Sequence, residues 1–383
     1  MVEIGRSDLG RITFSKGVVN TAFRWLPFFL PTLAIAFDAS TATLALLLGI
    51  AEACGLTTAF VGRWLDAGHE RRVIIISMMG IVVSSSLALV GSIWFFAAGV
   101  VVLGAASGQV TTAGHAWISA RVHFDRRARF IGLFEVSWAS ALLVGVPLIA
   151  ILISVFGWRG PFVAVALAAF VAAMLVGRID DGERSADRRP APEPKVKITP
   201  DAWLMIGASS MTALMGLTMI AIVGTWLDEV LGVSTGGIGL VAIAFGVAEL
   251  IASTSSSAFA DRLGKRRTML FSVSSTLLGL AIIASAGTSL LVGAAGLFVF
   301  FVGFEYSIVT SFSLVSEAMP TARGQALAAG HALSTVSRGA GVAAAGVLYE
   351  TFGVDGPIGL SVIGAVITLS LLMAVGRRRP DLA

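Results

Sequence analysis

The chain has 383 residues, of which 56% are hydrophobic and 13% charged, and its mean hydropathy is +0.89. Soluble domains carry about 25% charged residues, and a soluble protein of this length could not cover so much apolar surface, so the composition excludes a soluble globular protein. The net charge of +4 needs its location before it means anything, and a single cysteine, Cys54, excludes an internal disulfide.

Twelve apolar runs are long enough to cross about 30 Å of hydrocarbon, which takes about 20 residues of helix. Each should be a helix, because an isolated span in lipid must satisfy its own backbone hydrogen bonds. Pro27 and Pro31 should bend the first span. The spans are predicted near residues 17–37, 42–62, 73–91, 94–118, 130–153, 160–177, 202–227, 235–260, 267–287, 290–316, 325–349 and 357–376.

The basic residues predict the orientation of these spans. On one side lie 24 of the 27 lysines and arginines, Lys16 and Arg121 among them, whereas the opposite loops hold only Arg159. By the positive-inside rule, both termini and the middle segment face the cytoplasm. The basic charge is therefore a topology signal, and we do not expect a nucleic-acid surface.

Residues 178–200 separate two sets of six spans. They are rich in arginine, acidic residues and proline and have almost no apolar side chains, so they cannot form a core. We therefore predict an N-terminal six-helix bundle at 1–177, a cytoplasmic linker at 178–200 and a C-terminal six-helix bundle at 201–383.

A short charged hairpin occurs twice, each time between two apolar spans. The first copy is Gly62–Arg72 and the second is Ser257–Arg267; their aspartates, Asp66 and Asp261, lie 195 residues apart. Other echoes have nearly the same offset, such as Gly-Ile-Ala-Glu at 49–52 and Gly-Val-Ala-Glu at 246–249. A near-constant offset indicates duplication, and the fold class that follows is an all-α membrane protein with two pseudo-symmetric six-helix bundles.

Twelve spans in two sets of six, with a cytoplasmic central loop and this hairpin, resemble the major facilitator superfamily. The hairpin after the second span matches the family's Gly-x-x-x-Asp signature and basic cluster, although Ala67 replaces the usual basic residue. The matching positions are Gly62, Asp66, Arg71 and Arg72 in the first copy, and Asp261, Arg262, Gly264, Lys265 and Arg266 in the second.

Within that family, the chain resembles bacterial drug and arabinose efflux permeases. The pointers are Glu135-Val136-Ser137-Trp138 and the stretch from Gly157 to Phe162; Gly145-Val146-Pro147 departs from the antiporters' Gly-Pro pair. The resemblance implies that the first, fourth, seventh and tenth spans line the transport cavity. It also implies a contact, made in one access state only, between Asp66 and the start of the eleventh span near residues 323–327. The hairpin glycine, Gly62, should allow close approach of a neighbouring helix.

Five ionisable residues fall well inside predicted spans: Arg24, Glu52, Glu249, Glu305 and Arg338. A charge at the bilayer centre costs about 2.5–3.5 kcal/mol on insertion scales, so such residues face a cavity, pair, or lose their charge. Glu305 is our first choice for the proton site, with Glu249 and Glu52 behind it, and Glu52 could pair with Arg338. Structural hydrogen bonding within each bundle remains an equal alternative for the two repeat-related glutamates.

Polar residues nearer the span ends are interpreted as structural. His115, Glu135 and His331 are expected to be polar anchors, and Glu317 a solvated loop residue. Four tryptophans, Trp25, Trp117, Trp138 and Trp226, could contact an apolar substrate, but tryptophans near span ends usually anchor at the lipid headgroups, and we favour that role. Methionines recur every four residues at 211, 215 and 219, a stripe that packing between helices explains best.

The function that follows is proton-driven secondary transport across the bacterial inner membrane, with export of a small, partly apolar molecule favoured. Proton-coupled uptake of a metabolite is the alternative, and a non-transporting sensor on the same scaffold is a third possibility. The expected partners are the solute, protons and the lipid bilayer, with a monomeric chain. No nucleotide loop, metal-ligand cluster or nucleophile–base pair stands out, so we expect neither an enzyme nor a cofactor.

Overall fold

The computed structural model describes residues 5–179, 196–320 and 322–378. Within these ranges all regular structure is helical, and eleven helical stretches are long and apolar enough to span a membrane. The expected all-α, multi-span class is therefore confirmed. The predicted span at 325–349 is also a helix, of 30 residues, but its many small side chains make it less hydrophobic. Most of the predicted linker, residues 180–195, lies outside the described residues.

Fifteen α-helices cover the described ranges, and the first, second and fifth spans each consist of two of them. In chain order they are α1 Arg6–Arg24, α2 Leu30–Phe37, α3 Thr41–Ala53, α4 Thr58–Asp66, α5 Glu70–Leu89, α6 Ile93–Arg121, α7 Phe124–Ser140, α8 Val146–Phe156, α9 Arg159–Gly177, α10 Pro200–Glu229, α11 Thr235–Leu263, α12 Lys265–Ser285, α13 Leu290–Ala318, α14 Arg323–Phe352 and α15 Asp355–Arg378.

The first span is longer than predicted and is broken. It begins at Arg6, and between α1 and α2 the chain forms a 3-10 turn at Pro27–Phe29. Pro27 and Pro31 lack the N–H that a continuous helix requires, so the break falls where the prolines predict it. The predicted start at residue 17 is wrong because polar residues of α1 pack inside the bundle and do not lie in a loop.

Two further spans of the first repeat are interrupted for identifiable reasons. Between α3 and α4 the residues Cys54–Thr57 form a 3-10 turn, in which the Thr57 hydroxyl donates to the Cys54 carbonyl at 2.7 Å. Between α7 and α8 a π-helical turn at Ala141–Gly145 precedes Pro147. In the described part of the second repeat, the corresponding helices α10, α11 and α14 are continuous.

The same helix packing occurs in both halves of the chain. Helix α1 packs against α6, α7 and α9, and α10 packs against α13, α14 and α15. Helix α5 packs against α6 and α9, and α12 packs against α13 and α15. The duplication predicted from the hairpins is therefore present in the helix packing as well.

One close approach of helices, found in each repeat, fixes the register between the two repeats. A Cβ atom on Gly145 would lie 2.3 Å from the Thr21 hydroxyl oxygen, and one on Gly341 would lie 2.7 Å from the Thr218 hydroxyl oxygen. The threonines are 197 positions apart in the sequence and the glycines 196. Each first-repeat residue on these helices can thus be matched to its counterpart in the second repeat.

The chain packs as two compact units. The first comprises Met1–Ala39, Ile50–Ala191 and Thr235–Gly246; the second comprises Ser40–Gly49, Pro192–Ser234 and Val247–Ala383. In the second unit Thr199 caps α10, its hydroxyl accepting the Ala202 N–H at 3.3 Å. The buried tryptophans Trp25, Trp117 and Trp226 belong to the cores of these units, so their predicted role as headgroup anchors is wrong.

Gly104→Ala should destabilise the protein, because a Cβ there would lie 2.0 Å from the Ala51 carbonyl oxygen, and a backbone atom cannot move aside as a flexible side chain can. We expect a loss of about 1–3 kcal/mol of unfolding free energy, visible as a lower melting temperature of the detergent-purified protein. Gly132→Ala is the matched control, since that Cβ meets nothing within 4 Å and alanine favours a helix. Equal melting temperatures for the two variants would refute the packing argument.

Candidate functional site

A polar seam joins α1 to α7 in the first unit. Lys16, Asn20 and Arg24 are spaced four residues apart, so they share one face of α1. Three contacts make the seam: Lys16 Nζ with Glu135 Oε1, Asn20 Nδ2 donating to Ser137 Oγ at 3.3 Å, and Arg24 Nη1 donating to the Trp138 carbonyl at 2.7 Å. The guanidinium carbon of Arg24 also lies 4.1 Å from the centroid of the Trp138 ring.

At Lys16 the seam ends in a cluster of three titratable side chains, Lys16, His115 and Glu135, here called the Lys16 cluster. Lys16 is only 1% exposed, and its ammonium pairs with Glu135 Oε1. The same carboxylate oxygen lies 2.6 Å from His115 Nε2. The Lys16 ammonium also lies 4.4 Å from the centroid of the Phe134 ring, so its environment is one carboxylate and one aromatic face.

The structure corrects the predicted position of Lys16. The charge pattern places this lysine among the cytoplasmic loop charges, but it lies inside a helix that begins ten residues earlier, at Arg6. The sequence does carry a signal for this: a lysine, an asparagine and an arginine at four-residue spacing, which is the pattern of one polar helix face. Hydropathy alone does not show that Lys16 is inside a helix, because the charged residues of a buried ion pair lower the hydropathy of a span as much as loop residues do.

The seam belongs to the first repeat alone. With the register set by the threonine–glycine contacts, Lys16, Asn20 and Arg24 correspond to Ala213, Leu217 and Ala221. Glu135 corresponds to His331, which lies on α14. Of the methionine stripe, Met215 and Met219 are buried and Met211 is half-buried, and the packing interpretation stays a prediction.

The five predicted mid-span charges all lie on helices. Arg24 belongs to the seam, and Glu52 is half-buried on α3. Glu249 on α11 is 2% exposed and Glu305 on α13 is 6% exposed, while Arg338 on α14 is half-buried. A pairing of Glu52 with Arg338 stays a prediction, since the two residues belong to different units.

The two hairpins share a glycine with left-handed backbone and an arginine that bonds to the last helix of the same repeat. Gly68 and Gly264 both have left-handed backbone, with φ of +89° and +84°, which explains the glycine in each copy. In the first copy Arg71 donates to the carbonyls of Val176 (3.2 Å, from Nε) and Gly177 at the end of α9. In the second, Arg266 Nε donates to the Leu372 carbonyl of α15 at 3.0 Å. A cation at a helix C-terminus is favourable, as for Arg71, and both arginines tie their hairpin to the last helix of its repeat.

A residue at the end of each hairpin also forms an ion pair with the end of the second span after it, α6 or α13, and the signs are exchanged. Glu70 Oε2 lies 3.8 Å from Arg121 Nη1, with both side chains buried, whereas Lys265 Nζ pairs with Glu317 Oε1. Glu70 and Lys265 are 195 positions apart, and Arg121 and Glu317 are 196 apart. Glu317 is therefore an ion-paired helix residue, and the prediction that it lies in a solvated loop is wrong; Arg121 likewise lies within α6.

Other hairpin residues are placed as follows. A Cβ on Gly62 would meet nothing within 4 Å, so the predicted close helix approach at Gly62 is not found in this structure. Asp66 ends α4 and is exposed, as are Arg72 and Arg262. The side chain of Asp261 lies outside the described part of the chain. Among the described side chains, no group of three or more histidine, cysteine, aspartate or glutamate residues could hold a metal ion.

Comparison with known proteins gives a consistent result. A family model described as Major Facilitator Superfamily matches residues 12–220 and again residues 204–383. A relative from Bacillus subtilis (strain 168), the "Uncharacterized MFS-type transporter YwfA", is 25% identical over 359 residues, which cover 90% of this chain and 86% of the relative.

Solved structures share the fold. The crystal structure of a bacterial homologue of the human lysosomal transporter Spinster, inward-facing and occupied, has a TM-score of 0.75 at 16% identity, with 96% of each chain covered. That of a D-xylose–proton symporter has a TM-score of 0.76 at 14% identity, again with 96% of each chain covered. At these identities the likeness shows the fold alone.

The exchanged ion pairs can be tested by exchanging the signs. Glu70→Lys places an ammonium beside Arg121 in a buried site, and we expect a loss of about 3 kcal/mol of unfolding free energy. Glu70→Lys with Arg121→Glu recreates the arrangement of the second repeat and should recover at least half of that loss in thermal unfolding. The same exchange at Lys265 and Glu317 serves as the control. A double variant as unstable as the sum of its single variants would contradict the pairing.

Proposed function

Because this chain belongs to the major facilitator superfamily, it is a membrane transporter and not an enzyme, and we propose that it is a secondary active transporter driven by protons. In this proposal a small, partly apolar molecule is exported in exchange for protons by alternating access. The protein lies in the bacterial inner membrane, with both termini in the cytoplasm, and acts as a monomer.

The observation that carries the proposal is the burial of carboxylates on membrane-spanning helices. Glu249 and Glu305 lie on α11 and α13, and each is less than a tenth exposed. A fixed negative charge at such a place is costly, whereas a carboxylate that gains and loses a proton is neutral for part of a cycle. Buried carboxylates are therefore suited to coupling proton movement to a change of conformation.

Two similarities to known transporters bear on the direction of transport. The resemblance of residues 135–138 and of the stretch after Gly157 to efflux permeases favours export. The fold is shared with a D-xylose–proton symporter, and that similarity is what supports uptake as the second candidate. The two directions predict opposite responses to an imposed pH gradient, so one assay separates them.

Gradient-driven flux in proteoliposomes tests the carboxylates. A panel of small amphipathic solutes of positive, negative and zero charge is screened with wild type under an inward and an outward pH gradient. Glu305→Gln, Glu249→Gln and Glu52→Gln are then compared using the solute that moves. At least one should lower gradient-driven flux by 100-fold or more, or about 3 kcal/mol of coupling, while the purified variant keeps its melting temperature.

Asp355→Asn is the control for these variants, because Asp355 is an exposed residue at the start of α15. Its flux should match that of wild type. If all three glutamine variants keep gradient-driven flux, the buried carboxylates are not the coupling groups and the proposal fails in this form. If wild type moves none of the solutes against a gradient, proton-driven transport itself is refuted for that panel.

Asp66→Asn tests the hairpin as a gate. An aspartate near a helix N-terminus is favoured by the helix dipole, so a contact with the start of α14 would stabilise one access state. The variant should change the ratio of inward-open to outward-open forms by about 5-fold or more, measured by labelling cysteines introduced at the two faces in a Cys54→Ser background. An unchanged ratio would leave Asp66 as a surface charge.

A further inference from the structure

We propose that His115 is a second group, beside the buried carboxylates, that takes up a coupling proton, and that Glu135 and Lys16 transmit its charge to helix α1. The proposal rests on the proposed function, because it names a proton site for that transport. It adds a proton site to the buried carboxylates Glu249 and Glu305, and it gives His115 and Glu135 a role beyond polar anchoring.

The geometry brings titratable groups of three helices together, with two of them in contact with one oxygen of the third. Helix α1 presents Lys16, α6 presents His115 and α7 presents Glu135, and both the ammonium and the imidazole Nε2 contact Glu135 Oε1. Phe134 packs beneath, its ring centroid 5.4 Å from that of His115. A Cβ on Gly114 would lie 2.2 Å from this phenyl ring, so the glycine beside His115 makes room for it.

Charge counting shows where an added proton goes. With neutral imidazole, Lys16 and Glu135 cancel, and the cluster has no net charge. A proton on Glu135 would leave the Lys16 ammonium buried beside a neutral acid, which is strongly unfavourable. A proton on His115 instead creates a second cation against the same carboxylate, and imidazole is the side chain that changes charge between about pH 5 and 8. The added proton therefore belongs on His115.

The hydrogen-bond geometry also fixes the atom. A carboxylate oxygen only accepts, so Nε2 of the neutral ring carries the hydrogen that it donates to Glu135. The lone pair is then on Nδ1, which binds the incoming proton and releases it again without breaking the bond to Glu135. Glu135 and His115 have side chains 42% and 40% exposed, so a proton can reach them from outside the unit, whereas Lys16 at 2% is enclosed.

Helix α1 is the element that responds to this proton. When His115 is charged, the Glu135 carboxylate is shared between two cations, and its hold on Lys16 is weaker. Asn20 and Arg24 lie on the same face of α1 as Lys16, so the whole seam shares the change. Helix α1 ends at Arg24, before the 3-10 turn, so α1 and α2 do not form one rigid rod and α1 can shift independently of α2.

Histidine NMR tests the protonation step without a transported solute. The protein contains four histidines, and wild type labelled with ¹³C and ¹⁵N at histidine is titrated in lipid nanodiscs from about pH 5 to 9, with His115→Asn used for assignment. We expect His115 to titrate in this range at Nδ1. Glu135→Gln should lower its midpoint by about one pH unit or more, and Lys16→Met should raise it. The other three histidines are internal controls, and their signals should be unchanged by the Glu135→Gln and Lys16→Met substitutions.

The outcomes are distinct. A His115 signal that does not change with pH, or a midpoint that is insensitive to Glu135→Gln, overturns the proposal. If Lys16→Met fails to fold, the Glu135→Gln titration decides alone.

In the proteoliposome assay, His115→Asn should abolish gradient-driven flux but keep solute exchange without a gradient. Full gradient-driven flux in His115→Asn would refute this site and leave the proposed function intact, whereas no such flux in wild type would refute the proposed function itself.

Discussion

The interaction on which the first unit depends is the pairing of a buried ammonium with a single carboxylate. Lys16 has almost no exposed surface, and in an apolar bundle its charge is tolerable only because Glu135 and the Phe134 ring face it. That requirement sets the rotation of α1 about its axis, and the rotation in turn directs Asn20 and Arg24 towards α7. A polar seam of three contacts then follows from one constraint.

The two repeats have diverged in a way that separates structural from functional charges. At the hairpins both repeats keep a glycine with left-handed backbone, an arginine that bonds to the last helix of its repeat, and an ion pair with the end of the second span after the hairpin. The exchange of sign between Glu70–Arg121 and Lys265–Glu317 shows that the pairing matters there and the individual charge does not. The seam behaves differently, because its counterparts on α10 carry no charge.

This asymmetry distinguishes the two halves of the transporter in charge and in helix continuity. The first half holds the Lys16 cluster and the three interrupted spans, and breaks in membrane helices are sites where backbone can rearrange. The second half has continuous helices at the corresponding positions and buries Glu249 and Glu305. The proton site that we propose at His115 therefore lies in the half whose spans are interrupted.

The sequence by itself determined the class of fold and the number of spans to within one, because lipid allows few solutions and hydropathy reports them directly. The constant offset between repeated motifs indicated the duplication, and the resemblance of the hairpin to a known signature indicated the family. The sequence also located the proline break in the first span. It could not place Lys16 or Glu317, because a charge inside a bundle and a charge in a loop look alike until the partner is known. The partner of Lys16 is Glu135, about 120 residues away, and that of Glu317 is Lys265, about 50 residues away. Nor could it place the three tryptophans, whose burial depends on the packing of the helices. Only the packing of α1 against α6 and α7 decided that Lys16, His115 and Glu135 meet, since that depends on how each helix is rotated about its axis.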